Sequence, residues 1–124
     1  MATNGMTTLN HHCPYCAGTL RITGLTCEDC RLGLEGEFAT PRLARLDAEE
    51  QRFVELFVLA SGSLKEMAEL LKISYPTVRG RLDRLMARLK QEQERDEAYK
   101  RRILEEMEAG RILPKQGMRM IENM

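Results

Sequence analysis

The four cysteines of the chain fall in two pairs of identical spacing, Cys13-Pro-Tyr-Cys16 and Cys27-Glu-Asp-Cys30, with ten residues between the pairs. A Cys-x-x-Cys turn puts two thiolates on one tight bend whose backbone N–H groups point at the sulfurs and disperse their charge. Two such turns supply a closed tetrahedral set of four sulfur donors. Zinc suits this set because the ion brings no geometric preference of its own. Four protein ligands leave no open position for water, so the expected role is structural. A segment of about 30 residues buries too little apolar surface to order itself, whereas structural zinc contributes on the order of 10 kcal/mol to folding. A disulfide pair, an iron centre on the same thiolates and a redox couple are the competing chemistries. His11 and His12 adjoin Cys13 but are read as exposed chain rather than ligands.

No stretch of the 124 residues approaches the roughly 18 consecutive apolar residues of a membrane span, and Met1 to Asn10 lack the regions of a secretory signal. A cytoplasmic protein with no membrane partner is expected. In that reducing compartment paired cysteines are metal ligands sooner than disulfides. The formal charge is zero, which by itself speaks against a nucleic-acid partner, but the charges are unevenly placed. Between residues 72 and 90 stand Lys72, Arg79, Arg81, Arg84, Arg88 and Lys90 against one acid, Asp83. That concentration is what a phosphate-facing surface needs.

The fold class this predicts is mainly α, with a small N-terminal β zinc ribbon, a trihelical helix-turn-helix domain and a C-terminal helical hairpin. Residues 1–10 are read as disordered and residues 11–40 as the ribbon, where glycines and short alternating runs such as Leu20-Arg21-Ile22 and Leu32-Gly33-Leu34 suggest strands and turns. Residues 41–90 form the helical domain. Asp47 with Glu50 makes a capping box ahead of Phe53, Leu56, Phe57 and Ala60, and Gly62 stops that helix. Ser63 with Glu66 repeats the capping signature before Leu64, Met67, Ala68 and Leu71; a turn at Lys72-Ile73 follows. Ser74 then caps a third helix with Pro76 in its first turn and a core stripe of Val78, Leu82, Leu85 and Leu89. Residues 91–97 lie in a charged run, KQEQERDE, without an apolar anchor, and are read as a solvated helix extension or a linker. In residues 98–124, Tyr99, Ile103 and Met107 share one helical face, Gly110 is a stop and Pro114 opens a last helix. No internal repeat is evident.

At about 100° per residue, the core stripe leaves Gly80, Arg84 and Ala87 pointing outward, with Thr77, Arg81 and Arg88 on one flank and Arg79 on the other. The candidate DNA-contacting residues are therefore Ser74, Tyr75, Thr77, Arg79, Gly80, Arg81, Arg84 and Arg88. Gly80 inside a helix costs roughly 1 kcal/mol relative to alanine, which fits either a close approach by a backbone or phosphate or a tolerated surface glycine. Lys72 occupies a turn position where this motif commonly has glycine.

The motifs CPYC, CEDC, EGEFATPRLARL and ISYPTVRGRLDRL, in that order, resemble a bacterial and archaeal family, domain-of-unknown-function family 2089, over about residues 12 to 90. The resemblance implies a zinc ribbon joined to a helix-turn-helix with a role in transcription, and it lends no catalytic residues. The tail RRILEEMEAGRILPKQGMRMIENM looks like the short C-terminal helical hairpins thought to mediate oligomerisation, although Gly117 stands where those hairpins carry a better helix former. The expected protein is a zinc-containing regulator, not an enzyme, that binds double-stranded DNA as a homo-oligomer, most simply a dimer. An adaptor docking on RNA polymerase or another regulator is the alternative, and a zinc-thiolate redox sensor is the third.

Overall fold

The computed structural model describes residues 11–122. The disorder expected for residues 1–10 lies outside the described residues. Two strands, β1 (Ile22–Thr26) and β2 (Gly33–Phe38), form an antiparallel hairpin with Leu25 opposite Leu34 and Thr26 opposite Gly33. A bulge between Ile22 and Gly24 lets β2 run on to pair Phe38 with Ile22. No residue from 11 to 38 is buried, so the ribbon has no apolar core of its own.

A 3-10 turn at Arg42–Arg45 leads into three helices: α1 (Ala48–Leu59), α2 (Leu64–Leu71) and α3 (Tyr75–Glu108). Each begins on a side-chain cap. Asp47 and Glu50 exchange the two hydrogen bonds of a capping box, the Ser63 hydroxyl accepts from Glu66 N–H, and the Ser74 hydroxyl accepts from Thr77 N–H. The helices bury Phe53, Ala60, Met67, Val78 and Leu85 together with Leu46 from the preceding turn, so this core lies where the sequence stripes placed it. Between α2 and α3, Lys72 adopts the left-handed conformation at φ 56° and Ile73 N–H reaches back to the Ala68 carbonyl at 3.1 Å. A lysine there accepts a steric penalty that glycine would escape.

Residues 91–97 do not interrupt the chain: α3 is a single helix of 34 residues, about 50 Å long. Nor is the charged run simply solvated. Glu92 and Asp96 are buried, and their partners come from the 3-10 turn about 50 residues earlier. Arg45 meets Asp96 at 2.7 Å and Glu92 at 3.3 Å, while Arg42 places both Nε and Nη2 on the second Asp96 oxygen. Arg45 Nε also donates to the Thr40 carbonyl. No buried side-chain nitrogen or oxygen among the described residues lacks a partner. Burial alone would raise the Asp96 pKa, but the hydrogen bonds from Arg45 and Arg42 outweigh it and hold the carboxyl below its ordinary range.

The end of α3 turns at Ala109 and left-handed Gly110, and α4 (Pro114–Glu122) folds back on it. Gly117, read from sequence as a poor helix former, is the buried residue of α4. A Cβ on it would collide with the Met107 side chain and touch Ile103 at 3.4 Å, so glycine is what leaves room for Met107 between the helices.

Two outcomes follow. Because the Asp96 pKa is depressed, its contribution to stability is complete above the unfolded carboxylate value of about 3.9 and is lost as pH falls through the lower folded value. Asp96→Ala should cost about 3 kcal/mol at neutral pH in a denaturant titration, and should flatten the acid limb of the stability profile. Gly117→Ala should lower stability by about 1 to 3 kcal/mol through overpacking, where an exposed helical glycine would gain about 1 kcal/mol from the same change.

Candidate metal centre and nucleic-acid interface

The two cysteine pairs sit in turns that repeat one another bond for bond. In the first, Cys13 N–H donates to Gly18 O at 2.7 Å and Ala17 N–H to Cys13 O at 2.9 Å; in the second, Cys27 N–H donates to Leu32 O at 2.8 Å and Arg31 N–H to Cys27 O at 3.0 Å. Ala17 and Arg31, each directly after the second cysteine, both take left-handed φ of 60° and 63°. The flanking pairs match too: His12 bridges Thr19, and Thr26 pairs with Gly33. This is an internal repeat of turn geometry that the sequence hides, because beyond the cysteines the two turns share no residue.

Within each turn the backbone N–H groups serve the leading sulfur. Hydrogen bonds from the Cys16 and Tyr15 backbone lower the Cys13 pKa, and those from Cys30 and Asp29 lower that of Cys27. Tyr15 N–H lies 3.4 Å from Cys13 Sγ. A Cβ on Gly18 would stand 3.2 Å from Cys16 Sγ, so the glycine keeps the backbone clear of the thiol. The structure thus brings Cys13 to Cys16 and Cys27 to Cys30. Among the described residues it does not gather three or more Cys, His, Asp or Glu side chains into one cluster. The donor chemistry and both turns fit a four-thiolate ion. His11 is half-buried, its pKa lowered first by burial and then by His12 and Arg45, so it is not the exposed residue expected.

At the start of α3, Tyr75, Thr77 and Arg79 are exposed. The Ser74 hydroxyl is taken up by the cap and by Thr77 Oγ1 at 2.7 Å, so its part is to start the helix. A Cβ at Gly80 would meet nothing within 4 Å, which leaves the helix open to outside approach there. Arg79 is on the surface beside Asp83 at 3.3 Å.

One arginine assignment changes. Arg88 belongs to the interior network: it reaches Glu50 at 3.5 Å, Glu92 at 3.6 Å and the Arg45 carbonyl at 3.4 Å, and is not free to meet DNA. Arg84 is exposed and Arg81 half-buried, and both also line a cleft shared with α1. A helical wheel gives angles about one axis and cannot show that the neighbouring helix starts beside them.

The fold and these turns define a zinc-ribbon protein carrying a helix-turn-helix. The family models agree: the DUF2089 zinc ribbon matches residues 13–44, and the Domain of unknown function (DUF2089)-HTH matches residues 46–92. The chain belongs to this family. Neither match extends into the C-terminal hairpin. No curated protein and no solved structure matches the chain.

Because the ribbon has no buried residue while the helices share a separate core, Cys27→Ser should abolish stoichiometric zinc binding with little loss of helical circular dichroism. A helical signal that falls with the zinc would show that the two parts share one core.

Proposed function

We propose that this protein is a zinc-containing, DNA-binding transcriptional regulator of the cytoplasm, acting by binding rather than catalysis. The observation that carries the reading is the uncovered N-terminal end of α3. Tyr75, Thr77 and Arg79 project from it, Gly80 opens the backbone, and the buried Val78 and Met67 beneath fix its direction. A recognition helix meets base edges with this end, and guanidiniums take guanine or phosphate. Arg84 and Arg81 follow along the flank. In the ribbon, zinc would be held by Cys13, Cys16, Cys27 and Cys30 and would join two turns that have no apolar core to join them. Its part is structural.

Homodimer formation completes the reading, since two recognition helices supply affinity that one small motif lacks. The exposed Leu104, Leu113 and Met118 at the hairpin support a contact there. A second reading, an adaptor docking on RNA polymerase or another regulator, is favoured by the exposed Val58, Leu59 and Leu70 on the helical domain and by the zero net charge. A redox sensor, the third, draws on the exposure of Cys16, Cys27 and Cys30.

The deciding experiment is fluorescence anisotropy of zinc-loaded protein with random-sequence duplex DNA across a salt series. The regulator reading expects binding that weakens steeply with salt, and a slope reduced by up to about 3 when Arg79, Arg81 and Arg84 are changed together to alanine. Absence of binding at low salt would reject it in favour of the adaptor.

A further inference from the structure

The cleft between the first turns of α1 and the second and third turns of α3 has a volume of about 570 Å³, within the roughly 300 to 1,000 Å³ of small-molecule sites. Its floor is apolar, built on Phe53 and Leu85 with half-buried Leu56 and Leu71 between them. The charges on its rim are not equal in standing. Asp47 is spent on capping α1, and Glu50 returns that bond and pairs with Arg88. Among the described residues Arg52, Arg81 and Arg84 have no ion pair, and of the rim acids only Glu49 is likewise uncommitted.

We propose that this cleft binds a small monoanion with an apolar body, such as a carboxylate or sulfonate on an aromatic or medium-chain aliphatic frame. Arg81 and Arg84 receive the anion as charge-assisted hydrogen-bond donors, and the body lies over Leu56 and Leu71. The three rim carboxylates, Asp47, Glu49 and Glu50, balance the guanidiniums of Arg52, Arg81 and Arg84 in formal charge, so the cleft favours a small ligand of one negative charge over a compact polyanion. The apolar floor excludes a bare inorganic ion as the preferred ligand. Since the same two guanidiniums lie along the flank of α3, occupancy would draw them toward α1. This makes the cleft a natural effector position. The binding itself does not rest on the DNA reading and is measured without DNA.

The chain has no tryptophan, so an extrinsic fluorophore gives a clean signal. Full-length zinc-loaded protein should produce a saturable, one-to-one fluorescence enhancement with anilinonaphthalene sulfonate. Decanoate should displace the probe, and decanol at equal concentration should not. Arg81→Ala with Arg84→Ala should weaken binding at least about ten-fold with an unchanged melting temperature, and Glu49→Gln should tighten it about two-fold or more. No saturable enhancement, equal displacement by decanol, or affinity indifferent to both the arginine pair and Glu49→Gln would overturn the proposal.

Discussion

Two arginines on one short 3-10 turn, Arg42 and Arg45, hold two buried carboxylates on α3, Glu92 and Asp96, and the rest of the molecule is arranged around that contact. The turn is the segment through which the ribbon joins the helices, and Leu46 directly after it is among the most buried side chains of the core. The same network takes in Arg88 and, through it, the capping residue Glu50 of α1. Removing Arg45 strands the carboxylates of Glu92 and Asp96 in a dry setting, which is costly, whereas the intact set has every buried polar atom satisfied. The contact gives α3 a reason to remain one helix through a stretch with no apolar side chain.

The local chemistry of the fold was legible in the sequence. Asp47, Ser63 and Ser74 announced three helix starts because capping needs only neighbours three residues apart, and Met67, Val78 and Leu85 announced the core because helical spacing repeats. What the sequence concealed was long-range. Glu92 and Asp96 look like solvated charges until Arg42 and Arg45 are brought to them across about 50 residues. Gly117 looks like a weak helix residue until Met107 is found beside it. Arg88 counts toward a basic face on a helical wheel, yet its partners Glu50 and Glu92 turn it inward. The ordering sequence "KQEQERDE" carries no sign that two of its acids are buried; a motif of two arginines three apart before a helix cap was the only available signal.

The candidate site divides in the same way. The spacing of the cysteines gave the thiolate pairs outright, while the equivalence of the two turns lies in backbone hydrogen bonds at Ala17 and Arg31 that no residue identity reports. On the helical side, the exposed end of α3 and the cleft beside it place different residues of one basic segment in different settings. Arg79 stands at the surface, Arg81 and Arg84 face α1, and Arg88 is structural. A count of positive charges between residues 72 and 90 therefore overstates what is free to meet a polyanion.

The charged middle of α3 is part of the folded interior and not an exposed rod between two separate units. Native-state amide hydrogen exchange across residues 88 to 100 of the zinc-loaded protein tests it most directly. Protection there should be comparable to that around Val78 and Leu85. Exchange at the rate of an isolated helix, with protected segments on either side, would contradict it and return the stretch to the role of a solvated hinge.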